Sequence, residues 1–379
     1  MTQPQPLRVL LLADTTSAHT LKWAASLADA GIDVVLVGLY AGMEPGIAAL
    51  AEAGRIRCEP GEAGYDGSFL GRAFLRRVRR VRALVRAWQP DVVHAHYASS
   101  YGLLGALGSA GKPLMISAWG SDVYAFPRRG PLFKAVLRFS LSRAVQVFST
   151  SEAMAVVVRG LTRRPVAVIP FGVDTAGLAR PGRQVRRAPD GSARPFTFGT
   201  VKGLAEIYGS DVLVEAFAAV AARTEEPVRL RLVGDGPARA ALEARVAALG
   251  LQERVAFVGA VPHAAVAAEL DRMDAFCALS REESFGVAIV EALAAGLPVV
   301  VSDAPGPQEI VGGTGAGFVV RREAVEVAVE EAAEAMGRLL AEEVWTGCAE
   351  AAAPAARRRY HWPDQVAAQI QAYRALAPG

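Results

Sequence analysis

The stretch REESFGVAIVEALAAGLPVVVSD (residues 281–303) runs from a charged loop through a short apolar helix and a Gly-Leu-Pro stop into a β-branched strand. Gly296 ends the helix and Pro298 keeps it from restarting. Immediately upstream, AFCALS (275–280) reads as another short buried strand. Strand, loop, helix and strand at this spacing form the repeating unit of a parallel sheet with helices on its faces. The same stretch carries two carboxylates, Glu283 and Glu291, separated by eight positions. A helix beginning near Phe285 leaves Glu283 in the preceding loop and puts Glu291 about two turns in. The backbone N–H groups of Phe285, Gly286 and Val287 then point out of the helix start, where an anion such as a diphosphate binds. Gly286 lets backbone approach a ligand closely. Glu291 sits among Val290, Ala292 and Leu293, and a buried carboxylate needs hydrogen-bond partners. Ribose hydroxyls would supply them, as would a cap or an ion pair within the protein.

Outward from this stretch the same rhythm continues. Residues 196–320 alternate FTFGTV, VRLRLVG, VAFVGAV, AFCALS, PVVVSD and GFVV with helical segments, which is one α/β unit. Upstream, LRVLLLAD, IDVVLVGL, PDVVHAH, PLMISAWG, AVQVFST and PVAVIPFG alternate with helices such as HTLKWAASLADAG and form another. Between them ARPGRQVRRAPDGSARP (179–195) has little apolar content and reads as a linker. The expected organisation is a domain at 1–180, a linker at 181–195 and a domain at 196–361. The acidic helix before the end is expected to stop near Ala355, followed by an amphipathic helix over 362–379 returning to the first domain. A ligand is expected between the domains, at the carboxyl ends of the strands.

The 379 residues suit two domains, and 52% hydrophobic against 21% charged residues excludes a disordered or collagen-like chain. The mean hydropathy of +0.25 raises the question of membrane spans. Much of it is alanine, and every apolar run is broken well before the ~20 residues a span needs. MTQPQPLRVLLLADTT has one Arg and a short apolar run ended by Asp14, unlike a signal peptide, so a cytoplasmic location is expected. Cys58, Cys277 and Cys348 are isolated and read as free thiols packed in a reducing compartment. The net charge of +3 hides an asymmetry, since residues 1–180 carry 21 Lys and Arg against 12 Asp and Glu and the remainder 20 against 26. The excess is concentrated in helix 68–88, where Arg72, Arg76, Arg77, Arg79, Arg80, Arg82 and Arg86 interleave with Phe74, Val78, Val81 and Val85. That pattern is either a surface helix with its arginines in water or a peripheral contact with anionic lipid or an anionic acceptor at the inner face of a membrane. Nucleic acid is not expected, because no recognition motif accompanies the charge.

The 281–303 stretch resembles the E-x7-E motif of retaining GT-B glycosyltransferases, in particular family 4. That pattern reads roughly E-x-F-G-x-x-x-x-E-A-x-A-x-G-x-P-V-V. Glu283, Phe285, Gly286, Glu291, Ala292, Ala294, Gly296, Pro298, Val299 and Val300 match it. VGDGPARAALEARVAALG (233–250), RVAFVGAVPH (254–263), IPFGVDT (169–175), SDAPGPQEIV and TGAGFVV follow the family's order, so the likeness covers nearly the whole chain. It implies two Rossmann-like domains with parallel sheets facing each other across a cleft. It also implies transfer of a sugar, with retention, from a nucleotide-diphosphate sugar to a saccharide or lipid-linked hydroxyl acceptor, UDP being the default base. Glu291 would bind the ribose and Glu283 the donor sugar. Ser284, Phe285, Gly286 and Val287 would meet the sugar and diphosphate through their backbone, and Val261 would face the base. The family's basic pair falls on GTVKGLAEIYG, where Lys202 matches the first position and Tyr208 stands where a second lysine is usual. A subset reading K-x-L-x-x-x-Y-G has the same departure.

In the first domain, alternation puts His94 and His96 of PDVVHAHYASS on one face of a strand. As residues alone they are core groups or site groups. The resemblance makes His96 catalytic, beside donor sugar and acceptor, with His94 as its support. SAWGSDVY resembles the family's h-G-x-D turn, so Gly120 and Asp122 would line the cleft. Asp122 would accept a hydrogen bond from a substrate, or close an Asx-turn. Ser17 and His19 occupy a first loop that lacks the usual Gly-Gly and are placed on the acceptor side. Neither a metal cluster nor a cofactor is expected, since Lys202 and helix amides would stabilise the leaving diphosphate. GxGxxG and P-loop fingerprints are absent, which argues against a dinucleotide enzyme or an NTPase. A nucleotide-sugar epimerase of the same architecture, a non-catalytic sugar-nucleotide-binding protein and a phosphorylase are the competing readings. The phosphorylase lacks a pyridoxal lysine context.

Overall fold

A computed structural model of the chain describes residues 6–65, 67–69, 71–180 and 194–376. The expected linker falls, except for Arg194 and Pro195, outside the described residues. The chain divides into one unit of Met1–Pro170 with Pro363–Gly379 and another of Phe171–Trp362.

The first unit is built on seven parallel strands: β1 (Arg8–Leu12), β2 (Asp33–Val37), β3 (Arg57–Glu59), β4 (Val92–His96), β5 (Leu114–Ala118), β6 (Gln146–Ser149) and β7 (Val166–Val168), in the order 3-2-1-4-5-6-7. Burial on both faces explains their unbroken apolar sequences. Leu10, Leu12, Val35 and Val37 enter one core layer, while Val9, Leu11, Val34 and Leu36 enter the other. The second unit repeats the plan with six: β8 (Phe196–Val201), β9 (Val228–Val233), β10 (Val255–Gly259), β11 (Ala275–Ala278), β12 (Val299–Ser302) and β13 (Gly317–Val320), in the order 10-9-8-11-12-13. This is the pair of Rossmann-like sheets that the sequence implied. In each sheet the winding reverses once, between β1 and β4 and between β8 and β11. Crevices at the carboxyl ends of strands flanking such a reversal are where open α/β sheets bind ligands.

The helices Pro45–Glu52 and Pro131–Arg143 and the three-residue strand β3 have no counterpart among the elements expected from sequence. The acidic region is two helices, Val325–Arg338 and Glu342–Tyr360, and the second continues through Pro354 rather than ending near Ala355. Pro354 removes one backbone donor. Buried Trp345, Cys348, Ala352, Ala355, Ala356 and Tyr360 hold the helix together across that gap. The break comes at His361, before the final helix Trp362–Arg374, whose Pro363 suits a first turn. That helix buries Tyr373 in the first unit's core.

The basic helix spans Arg72–Trp88 and docks Phe74, Val78, Val81 and Val85 on the sheet. Its arginines are not all in water. Arg77 is buried, with Nε donating to the Gly38 carbonyl at 2.8 Å and Nη2 to the Pro60 carbonyl at 2.8 Å. Arg76 pairs with Glu62, Arg80 with Glu59, and Arg82 donates to the Leu107 carbonyl. Arg77 is therefore a core group, while Arg76, Arg80 and Arg82 stay exposed with partners at the surface. Among the described residues no helix is long and apolar enough to cross a membrane.

Candidate functional site

In the second unit, Lys202 follows the end of β8, and Glu283 lies in the loop after β11, on either side of the winding reversal. The Lys202 N–H donates to the Val233 carbonyl at 2.9 Å. Gly234 passes so close that a Cβ there would stand 1.8 Å from the Lys202 carbonyl oxygen, at φ +139°, so only glycine fits. The Lys202 and Glu283 side chains, 11% and 15% exposed, form an ion pair. Lys202 Nζ also stands 4.5 Å from the centroid of the Tyr208 ring, a cation–π distance. The residue that replaces the usual second lysine thus faces the first one. Burial pulls the Lys202 ammonium down to about 8, while the adjacent carboxylate favours its charged form.

The helix after Glu283 runs Val287–Ala294 from Gly286, whose φ of +109° reverses the chain at the N-cap. No side chain caps this first turn, so its start presents backbone donors at the positive end of the dipole. Ser284 and Val287 flank this turn half-buried. The Phe285 ring is buried edge-on between Phe171 and Tyr360, 5.6 Å from each, and fixes where the turn lies. Glu291 is 7% exposed, and one oxygen takes a 2.8 Å hydrogen bond with His263 Nε2. His263 opens the short turn after β10, with Val261 half-buried just before it. Lys202, Tyr208 and Glu283 form one cluster, and Glu291 and His263 a second. Both stand at the carboxyl end of the sheet.

In the first unit β4 carries the two histidines near its end, edge to face with ring centroids 4.6 Å apart. His94 is held at both nitrogens, by Tyr373 Oη at 2.6 Å and Ser117 Oγ at 2.8 Å. Burial pushes its imidazole down to about 3, so it is neutral. His96 is driven down as well, by burial first and then by its histidine neighbours. Its Nδ1 is buried without a hydrogen-bond partner. The His96 ring lies 4.9 Å from Trp119 and 6.1 Å from Trp23. His19 meets Trp119 edge-on at 5.9 Å, which ties the first loop to the same cluster. Ser17 caps the helix Ala18–Asp29 by position only, without a side-chain cap bond.

Asp122 departs from its expected substrate role. It is fully buried, and it accepts from the Ala98 N–H at 2.6 Å, the Gly120 N–H at 2.8 Å and the Trp119 N–H at 3.1 Å. Both oxygens are committed to the loops that carry Trp119 and follow His96, which is a structural clamp. Gly120, at φ +137°, is the N-cap of the turn Asp122 closes. His263, Trp119, Trp23 and Tyr373 join these clusters although the sequence reading gave none of them a role. Each lies in a segment that reading singled out, at the end of RVAFVGAVPH, in SAWGSDVY, in the helix after the first loop and in the last helix. Among the described residues no three His, Cys, Asp or Glu side chains converge as a metal site requires.

Comparison with known proteins gives the family. The family model described as glycosyl transferases group 1 matches residues 184–357, and the one described as glycosyl transferase 4-like matches residues 8–151. The phosphatidyl-myo-inositol mannosyltransferase of Mycobacterium leprae is 30% identical over 318 residues, covering 81% of this chain and 79% of that protein. A phosphatidylinositol N-acetylglucosaminyltransferase component of Arabidopsis thaliana is 34% identical over 238 residues, covering 61% of this chain and about half, 51%, of that protein. Among solved structures, Anabaena HepE in complex with UDP and glucose superposes with a TM-score of 0.75 at 20% identity, over 97% of this chain and 100% of that one.

Proposed function

The chain belongs to the group 1 glycosyl transferases of the GT-B, family 4 type, and from that premise we propose that it transfers a sugar, with retention, from a UDP-sugar to a hydroxyl of a saccharide or lipid-linked acceptor in glycolipid or glycoconjugate synthesis. The observation that carries the reading is the convergence of Lys202, Glu283, the uncapped turn at Gly286 and the buried Glu291 at one sheet reversal. A nucleotide sugar needs cation and amide donors for its diphosphate and an acceptor for its ribose hydroxyls, and this cluster offers each. Lys202 and the helix amides carry the charge that develops on the leaving diphosphate, without a metal ion. Glu291, pre-oriented by His263, takes the ribose. Glu283 passes from Lys202 to the donor sugar as the diphosphate draws the ammonium away. His96 serves the acceptor side, a neutral ring in an aromatic surround. Two relatives with lipid acceptors in their names, phosphatidylinositol and phosphatidyl-myo-inositol, favour a lipid-linked acceptor.

A panel of UDP- and GDP-sugars tests this by thermal shift, because ligand binding to the folded form stabilises it by mass action. One UDP-sugar is expected to raise the melting temperature of the wild type. Glu291→Ala should weaken that donor about 10- to 100-fold, the loss expected of a charged hydrogen-bond acceptor. A panel with no responder would overturn the assignment, and donor turnover to a new, epimerised free sugar without acceptor would favour an epimerase.

Lys202 also sets a pH dependence. Its ammonium is charged below about 8 and neutral above, so the interaction with the diphosphate is present at low pH and lost as pH rises. The kcat/KM for donor is expected to fall through about pH 8, and Lys202→Arg should flatten that alkaline limb because guanidinium stays charged. An unchanged limb in the arginine variant would assign the titration elsewhere.

A further inference from the structure

Lysine is rare in this chain. Lys22, Lys112, Lys134 and Lys202 are the only ones among 41 basic residues, and arginine fills every other basic position. An ammonium is a compact charge on a flexible four-carbon stem, so it needs neighbours to hold it in one place. Two side chains do so at Lys202: Glu283 through the ion pair, and Tyr208 through its ring, whose centroid lies 4.5 Å from Nζ. The two differ in kind. The carboxylate neutralises the ammonium, and in the transfer reading it leaves for the donor sugar. The ring attracts the ammonium through its quadrupole and leaves the charge whole for a diphosphate.

The ring is fixed by the loop that carries Glu283. Tyr208 closes the turn Glu206–Tyr208. The Arg281 N–H donates to the Ile207 carbonyl at 2.9 Å, and Arg281 Nη1 donates to the Glu206 carbonyl at 2.6 Å. The same guanidinium pairs at 2.6 Å with Asp211, in the first turn of the helix Ser210–Arg223. Gly209, at φ +64°, passes so close to the end of β11 that a Cβ would stand 1.9 Å from the Leu279 carbonyl oxygen. A Cβ at Gly203 would stand 3.4 Å from Tyr208 Cε2, so the ring also lies against the backbone just after Lys202. Turn, loop and strand end form one frame around the ammonium.

A second lysine at position 208 would bring a like charge into this frame. Burial already pulls Lys202 down to about 8, and a neighbouring cation pushes an ammonium further the same way. The other charged groups on the surrounding elements do not offset it. Arg281 is paired with Asp211, Asp235 after β9 is paired with Arg239, and Glu206 and Glu282 are exposed to water. We propose that Tyr208 is a positioning residue of the donor site, whose ring face holds the Lys202 ammonium in place and charged, so that one cation serves where a pair is usual. The proposal rests on the reading of Lys202 as the diphosphate's cation, and its test is therefore read first without any donor.

With so few lysines, isotope-labelled lysine lets NMR follow Lys202 in the full chain, its signal assigned by its absence in Lys202→Arg. The Lys202 midpoint is expected near pH 8 in the wild type. It should fall by about half a unit or more in Tyr208→Leu, because the ring favours the charged form. In Tyr208→Phe, which keeps the ring and loses only the hydroxyl, it should stay near the wild-type value. UDP and GDP then probe the diphosphate, and uridine and guanosine probe the nucleoside without it. Tyr208→Leu should weaken the diphosphate that binds by about three- to ten-fold, and Tyr208→Phe should recover most of that loss. The nucleoside alone should bind all three proteins alike. Melting curves check folding, and Tyr208→Met takes the place of the leucine variant if that one is unstable. An unmoved Lys202 midpoint in Tyr208→Leu overturns the proposal. So does a phenylalanine variant as weak as the leucine one, which would credit the hydroxyl, and so does an equal loss of nucleoside, which would mean a distorted site. Wild type that binds neither diphosphate sinks the transfer reading instead, and the lysine titration then decides this one alone.

Discussion

Lys202→Ala is expected to lower kcat/KM for sugar transfer by about 10²–10³-fold, the loss seen when one preorganised charge stabiliser is removed from a reacting centre. The side chain is 11% exposed, so little water replaces the ammonium when it goes. The expected stability change is separable. Removing Lys202 leaves Glu283, at 15% exposure, facing the Ser280 hydroxyl at 3.5 Å without its cation, and a half-broken buried pair destabilises. A double variant, Lys202→Ala with Glu283→Gln, removes the stranded charge and should recover the melting temperature without recovering turnover. Turnover near normal in the single variant, measured with saturating acceptor, would refute the role given to this lysine.

Asp122→Ala is expected to have the largest effect on stability, a loss of about 3 kcal/mol or more, because it strands three buried donors at about 1–3 kcal/mol each. The carboxylate is fully buried and accepts three backbone N–H groups, from Ala98, Trp119 and Gly120. Alanine strands all three. Asp122→Asn keeps an acceptor and should fall between. Urea unfolding followed by tryptophan fluorescence reads this directly, since Trp119 and Trp23 lie within the affected cluster. A midpoint equal to that of the wild type would mean that the loops find other acceptors. The same variant should also lose transfer, because the Asp122 clamp holds the loop that follows His96, and the two losses should track each other.

The sheets are legible in the sequence because parallel strands buried on both faces leave unbroken apolar runs, as in RVLLL and VVVS. The carboxylates of 281–303 are legible because a helix start, a glycine and a second acid at fixed spacing carry chemistry within one segment. The Pro131–Arg143 helix is hidden for the opposite reason. Leu132 and Phe139 on its outer side blur the period that Leu137 and Leu141 set on its inner side. His263 ends the RVAFVGAVPH segment, but nothing in that segment pairs it with an acid, and only the fold brings it to Glu291. The motif around Asp122 suggests a substrate contact, while three donors from two separate loops already consume its carboxylate. Pro354 would ordinarily end a helix, and only the packing of Trp345 and Tyr360 on either side shows why it does not.

The hydrogen bond between Tyr373 and His94 spans 279 positions. The unit that holds both is encoded in two pieces, with the whole of the other unit between them. On a ribosome adding about 5–20 residues per second, Phe171–Trp362 is made while the first sheet still lacks its final helix. A nascent chain stalled before Trp362 would hold every strand of the second sheet while His94 still lacked Tyr373, its partner from the final helix.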